Sequence, residues 1–546
     1  MKTKDQPFGE SSSARKLSSA SSEDVPWNCL HAYRLIEFFT VFTALSDIVI
    51  CGTCKQKIKF EETGNRGLGF KLVLLCNCGR RDIQSGPLIH TGYEVNRRIV
   101  LVMRLLGVGR EGINLFCNLM DICDGLSESA YNKIIDHFHS AAKAVFKFCS
   151  TKAVEEEKEK NKEHGRQNLK VSGDGSWKKR GFKSLYGVTT LIGYYSGKVI
   201  DLLVKSSYCQ ACNSWKNRTY TAEFREFIEK HEGQCMKNHE GSAGKMEVDS
   251  ITEMFLTSEE KFGVRYENYI GDGDSKTFKA ILDVNPYGDD FKVVKNECIG
   301  HVEKRMGTRL RNVKKEHKLG GKGKLTDTLI KKLTTYYGLA IRRNVDSVTE
   351  MKKAILSTYY HMCSTNENPR HEYCPPGAES WCEWKKAEAT KVDIKTLEHP
   401  APLHPDLQKH LYPIYEDLSK EDLLERCLGG HTQNANESFN STVWRLAPKH
   451  MHSGLKIIEI AAYLAAGIFN EGNASILRVM NTLGLIIGKQ TKIYADNADK
   501  RRIQRQEWRS FLETKEARKA RKEQLLQENR VFEEAEGLLY GPGIAD

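Results

Sequence analysis

No stretch of this 546-residue chain is apolar for long enough to cross a bilayer. The best run, Ile457 to Phe469, is thirteen residues long and contains Glu459, against the roughly 20 apolar residues that a spanning helix needs. An apolar signal region is missing as well. The first 25 residues are Ser-rich and charged, which argues against secretion and for a disordered tail over residues 1–28. Without secretion the sixteen cysteines are expected to be reduced, so clustered ones read as zinc ligands before disulfides. Acidic residues are outnumbered, 71 against 83 basic ones, and the net charge of +12 points to a polyanionic partner. With no membrane span, nucleic acid fits that charge better than a lipid surface. A chain of this length is expected to hold several domains.

Paired cysteines appear early. Cys51-x2-Cys54 is followed, across a strand-rich stretch, by Cys76-x-Cys78. This spacing predicts a zinc-ribbon-like module over residues 29–85, where four thiolates supply folding energy that a small core lacks. Residues 86–150 carry helical periodicity (RRIVLVMRLLGVGREGINLFCNLMDI) broken at Gly107 and Gly109. Three short helices with Arg97, Arg98, Arg104 and Arg110 exposed would suit a helix-turn-helix-like DNA reader, and an ordinary small helical domain fits the same pattern. Residues 151–167 read as a charged linker or the solvated end of a helix.

Three carboxylates then stand out. Asp174 sits in NLKVSGDGSW at the end of an expected strand, followed by two strands, Leu185 to Tyr194 and Val199 to Lys205, joined at Tyr195-Ser196-Gly197. A strand that carries an Asp and runs into a two-stranded meander is how RNase H-like folds begin; the glycines on either side also allow a plain turn. Asp272 lies in YIGDGDSKTF, at the C-terminal end of a strand, an edge that α/β sheets use for ligands. An EF-hand is excluded there, because the Gly and bidentate Glu that its loop requires are missing. Asp272 is the candidate ligand, and Asp274 or Ser275 the helix cap. Glu437, in TQNANESFNSTVW, would share a helical face with Asn440, Ser441 and Trp444. Three such carboxylates match what two Mg²⁺ ions need to clamp a phosphodiester.

VSGDGSW, YIGDGDSKTF, the Cys298-x2-His301 of NECIGHVEKRMGTRL and TQNANESFN together resemble a Mutator-like DDE transposase of the type found widely in arthropod genomes. The resemblance implies that Asp174, Asp272 and Glu437 form the catalytic triad and hold Mg²⁺ or Mn²⁺. It also implies an α+β multidomain chain: an RNase H-like α/β catalytic core over 168–301 and 426–495, interrupted by a helical insertion over 302–425. The N-terminal zinc-ribbon-like and helical modules precede it, and a basic C-terminal helix and tail, 496–546, follow.

Further clusters invite Zn²⁺. In the stretch 207–245, Cys209 and Cys212 precede His231, Cys235 and His239; any four could close a tetrahedral site, with Cys209, Cys212, His231 and Cys235 the first choice. For Cys298 and His301 the resemblance implies either a zinc site with ligands from elsewhere, His450 and His452 being candidates, or packing near the active site. A last one is His371, Cys374 and Cys382 in HEYCPPGAESWC, joined by His361 or Cys363. After His301, Val302, Met306, Leu310 and Val313 form one apolar stripe, leaving Lys304, Arg305, Arg309, Arg311, Lys314 and Lys315 for DNA phosphates. The expected protein is a nuclear transposase acting on double-stranded DNA, terminal inverted repeats and target alike, as a homo-oligomer when bound. A domesticated DNA-binding derivative, or a zinc-stabilised nuclease without strand transfer, would leave much of the same sequence.

Overall fold

The computed structural model describes residues 11–179, 184–272, 275–321, 324–394, 397 and 401–512. The chain divides into two compact units, Met1–Cys149 with Tyr463–Asp546, and Ser150–Ala462. Among the described residues no helix is long and apolar enough to cross a membrane.

In the first unit, β1 (Lys59–Arg66), β2 (Gly69–Cys76) and β3 (Gly79–Gln84) form an antiparallel sheet in that order. Phe38 and Phe42, from the helix Phe38–Ile48, close one side of it against Phe70 and Phe60 at 5.9 and 5.3 Å between ring centroids. A two-residue pairing of β4 (Leu88–Ile89) with β5 (Gly92–Tyr93) leads into the helices Glu94–Leu105 and Arg110–Leu119. Gly69 is demanded by packing: a Cβ there would stand 2.1 Å from the Tyr93 ring.

Three expectations need correcting. The tail was expected to be unstructured, yet Ser12–Leu17 is a helix capped by the Ser11 hydroxyl. Polar contacts replace the missing apolar ones: the Lys16 ammonium lies 3.5 Å from the centre of the Phe469 ring, and Ser13 N–H donates to Gln506 Oε1 at 2.7 Å. Second, three of the four arginines expected to face DNA are turned inward, while Arg110 pairs with the exposed Glu111 at 2.7 Å. Arg98 pairs with the fully buried Glu94, Arg97 donates to the Leu483 carbonyl at 3.0 Å, and the buried Arg104 donates to the Val108 carbonyl at 2.7 Å. Third, residues 151–163 are the end of a single helix, Glu128–Glu163, rather than a linker, and that end is not simply solvated: Ala153, Val154, Glu157 and Asn161 are buried. The Glu157 carboxylate accepts from the N–H groups of Tyr195 and Ser196 at 3.0 and 2.7 Å, fastening the hairpin turn whose Gly197 has φ of +67°. A charge run looks solvated until one of its carboxylates finds buried donors.

The second unit is built on a mixed five-stranded sheet, order β10-β9-β6-β7-β8. β6 (Leu169–Trp177), β7 (Tyr186–Gly193) and β8 (Val199–Ser206) are antiparallel; β9 (Tyr266–Gly271) and β10 (Val294–Glu297) run parallel to β6. Val171, Leu191, Ile200, Tyr266 and Tyr269 meet Ile251, Met254 and Phe255 of the helix Ala243–Leu256 in one core. A second core is purely helical. Val302, Met306 and Leu310 of Ile299–Glu316 pack with Leu333 and Tyr337 of Asp327–Arg343, Ile355 of Val348–Met362, and Leu411 and Tyr415 of Pro405–Asp417. Those three Ile299–Glu316 residues belong to the apolar stripe expected from the sequence, with Val313 partly buried beside them.

Candidate metal and nucleic-acid site

Asp174 is not a turn residue between glycines, and its strand does not stop there. It lies within β6, opposite Thr190 of β7, and the strand continues to Trp177. The glycines serve packing. A Cβ on Gly173 would stand 2.6 Å from the Tyr269 ring, and one on Gly175 2.6 Å from the Glu247 carboxylate. Ser172 pairs with Ile270 across the parallel β6–β9 ladder. Asp174 and Asp272 each follow two residues later, Asp174 still within β6 and Asp272 one residue past the end of β9. Asp274 and the side chain of Ser275 lie outside the described residues, and with them the expected helix cap.

The helix Asn434–Leu446 is hooked to β6 along one stripe. Gln433 Nε2, just ahead of the helix, donates to the Gly173 carbonyl at 2.6 Å, and the Ser172 hydroxyl donates to Asn436 Oδ1 at 2.8 Å. Asn440 Nδ2 donates to Asp174 Oδ2 at 2.7 Å, and Trp444 Nε1 to the Ser176 hydroxyl at 2.7 Å. Positions 436, 440 and 444 recur at one helical turn, and 172, 174 and 176 share one face of a strand, so the two periodicities mesh. Glu437 is carried on the same helix into a cleft that it lines with Asp174, Asn440, Ser441 and Trp444. Its carboxylate is 3.5 Å from the Lys304 ammonium.

Burial first, and then the charges of Asp272 and Glu437, push the Asp174 carboxyl up to about 6, against the opposing pull of His301 and the Gly175 N–H. Carboxylates whose charges act on one another in this way suit a hard divalent cation, which relieves their repulsion and prefers oxygen ligands; among the described residues the three acids do not bring their oxygens within 4.8 Å of one another as the Cys/His groups do. Cys298 and His301 were expected either to join a zinc site, with His450 or His452, or to pack near the acids. Among the described residues no third ligand stands close enough to complete one. Gln433 holds His301 instead: its Nε2 is spent on Gly173, so its Oε1 accepts from His301 Nδ1 at 2.9 Å. The buried Cys298 thiol raises the His301 pKa.

Around the acids the basic residues divide. Arg305 is bound to the buried Glu297 at 2.6 Å, Arg309 pairs with Asp417, and Lys314 lies 2.8 Å from Asp327. Arg311 and Lys315 stay exposed, with no close ion-pair partner among the described residues. Lys179, Arg445 and Lys449 line the acidic cleft, a cavity of about 630 Å³. Nothing in the sequence singled them out, because Lys179 lies far along the chain from Arg445 and Lys449 and only the fold brings them to one cleft.

Three Cys/His groups bring their ligand atoms within 4.8 Å of one another: Cys51, Cys54, Cys76 and Cys78; Cys209, Cys212, His231 and Cys235; His361, His371, Cys374 and Cys382. Each could hold a zinc ion. Tetrahedral Zn²⁺ with bonds of about 2.0–2.3 Å places its ligands roughly 3.3–3.8 Å apart; Cys209 Sγ is 3.2 Å from His231 Nε2, and Cys212 Sγ 3.5 Å from Cys235 Sγ. The N–H groups of Cys54 and Thr53 draw the Cys51 thiol down to about 6, where it ionises readily. His239 is left out of the second group. It is buried between Asp249, 3.2 Å from its Nδ1, and the Ser242 carbonyl, 3.2 Å from its Nε2. In the third group the fourth ligand is His361; Cys363 is a buried core residue.

No curated protein matches this chain. A family model of Mutator-like transposases matches residues 29–382. That span takes in Asp174, Asp272, His301 and all three Cys/His groups, and ends before Glu437. It covers well over half of the sequence, and the chain belongs to the Mutator-like transposase family.

Proposed function

We propose that this protein is a DDE transposase of the arthropod type, acting in the nucleus on the ends of its own element. Its catalytic core is RNase H-like, residues 168–301 with the stretch from 426 as far as Ala462, where the compact unit ends short of the expected 495, and 302–425 are an insertion into that core. The observation that carries this reading is the meeting of Asp174, on the strand that pairs in parallel with the one leading to Asp272, with the Glu437 helix through the Asn440 contact. A meander followed by two parallel strands supports the RNase H-like assignment.

Mg²⁺ or Mn²⁺ held by Asp174, Asp272 and Glu437 would activate water and neutralise charge on the scissile phosphate. The protein's own residues do the rest. Asn440 fixes the Asp174 carboxylate, Gln433 fixes His301 beside the acids, and Lys179, Arg445 and Lys449 draw the DNA backbone to the cleft. Water attacks the phosphorus at the element end, and the bond to the 3′ oxygen breaks, leaving a 3′-OH on the element and a 5′-phosphate on the flank. That 3′-OH then attacks a target phosphate and displaces the target's 3′ oxygen, so one phosphodiester is exchanged for another.

Cleavage of terminal-repeat DNA by Asp272→Asn is the test. Cleavage is expected to be abolished with DNA binding retained; full cleavage by the variant overturns the assignment. A strand-transfer assay on precleaved ends separates a transposase from a simple nuclease.

A further inference from the structure

Away from the acids, a cavity of about 560 Å³ opens between the helices Asp327–Arg343 and Val348–Met362, within the range typical of small-ligand sites. Its third wall is a loop carrying Tyr373, Pro375, Pro376 and Trp381. This loop meets the second helix at a Cys/His group whose spacings suit a metal ion. His361 Nδ1 and His371 Nδ1 are 3.3 Å apart, Cys374 Sγ is 3.8 Å from each, and Cys382 Sγ is 3.4 Å from His371 Nδ1. A zinc tetrahedron with Zn–N of about 2.05 Å and Zn–S of about 2.3 Å has edges of roughly 3.3 Å for N–N and 3.5 Å for N–S. One aromatic residue of the cavity leans on these ligands and a second on the neighbouring helix residue Tyr360. Trp381 meets the His361 ring edge-on at 4.9 Å, and Tyr373 stacks on Tyr360 at 5.4 Å.

The lining is mixed in a telling way. Tyr336, Tyr373 and Trp381 are each more than a third exposed, though large aromatic rings are usually buried. Arg343 and Lys353 line the same cavity, against the single acid Glu350. Aromatic faces beside cations are what a base and its phosphate require, the base stacking and the phosphate pairing. The cavity is far too small for a duplex and suits one nucleotide out of the stack.

We propose that this cavity binds an unstacked nucleobase with its phosphate, on a wall held by Zn²⁺ at His361, His371, Cys374 and Cys382. Trp381 and Tyr373 stack the base, and Arg343 pairs with the phosphate. The inference rests on the DNA reading above, and uses residues remote in sequence from the three acids.

The test compares the full zinc-loaded chain on three DNAs by fluorescence anisotropy: a paired duplex, the same duplex with one extrahelical base, and that duplex with an abasic site in place of the extra base. The extrahelical base should bind about tenfold more tightly than either control, the scale of one aromatic stack. Trp381→Ala and Arg343→Ala should each lose that preference while holding the paired duplex as before. Cys382→Ser should lose one zinc per chain by native mass spectrometry, and the preference with it. Absence of the preference in the unmodified chain, or its survival in Trp381→Ala, overturns the pocket; survival in Cys382→Ser with one zinc gone overturns the metal's part. Failure to bind any of the three DNAs overturns the transposase reading itself, a different result from binding all three alike.

Discussion

Asn440 Nδ2 donates to Asp174 Oδ2 at 2.7 Å, joining a helix late in the chain to the central strand of the sheet. The contact does two things at once. It orients one carboxylate of the cleft, and it sets the rotation of the helix that carries Glu437. Asn440→Leu keeps the volume and removes the donor. A hydrogen bond to a charged group is worth about 1.5–3 kcal/mol, so single-turnover cleavage is expected to fall roughly 10- to 100-fold. Unchanged cleavage would mean that Glu437 is positioned by other contacts.

Divalent-cation binding should be steeply dependent on pH. The Asp174 carboxyl, at about 6, holds its proton through a range where an ordinary Asp has lost it. A cation must displace that proton, so affinity weakens as pH falls through about 6 and levels off above it. The same shift acts on stability with opposite sign to a salt-bridged Asp. Between about pH 4 and 6 the folded, metal-free protein binds the extra proton, and stability therefore falls as pH rises across that window. Mn²⁺ titrations at pH 5.5 and 7.5 check the first statement. Asp174→Asn should flatten the dependence.

Much of the site could be read from the sequence, and what was missed has a physical cause. Asp272 at a strand end and the apolar stripe of Val302, Met306 and Leu310 are local patterns, visible in periodicity. The Cys209, Cys212, His231 and Cys235 group was legible because zinc ligands come in pairs with short spacing. What stayed hidden depends on partners far along the chain. Whether Arg104 faces DNA or the Val108 carbonyl, and whether Glu157 is solvated or caps a hairpin turn nearly forty residues on, is settled only by packing. The glycines around Asp174 misled for the same reason. They answer Tyr269 and Glu247 across the fold, rather than a turn.

The basic helix Ile299–Glu316 makes a testable division. Arg305 serves the buried Glu297, which also lies 3.6 Å from Lys295 and from Arg426. Arg305→Ala should cost about 2 kcal/mol of stability, less than a lone buried pair because two cations remain. Arg311→Ala and Lys315→Ala should leave stability unchanged and weaken binding to any duplex. If each contacts a phosphate, each should reduce the slope of log affinity against log salt by about one. Denaturant melts and salt titrations of the three variants separate the roles.

His431 supplies a pH dependence independent of the acids. It is buried at 2 % exposure, its Nε2 lies 3.4 Å from Lys170 Nζ, and the Tyr194 ring meets it edge-on at 4.9 Å. Burial first, then the positive charges of Lys170 and Arg166, hold its pKa down at about 4. The unfolded chain takes up a proton near 6.5 that the folded one refuses until about 4, so ν is larger in the unfolded state and stability rises with pH across that window. Between pH 7.5 and 5 the loss should be about 2 kcal/mol from this residue. In His431→Gln, which keeps a polar side chain without a titrating ring, the denaturation midpoint should change less between those two pH values. An equal change in both proteins would assign the acid sensitivity to other groups.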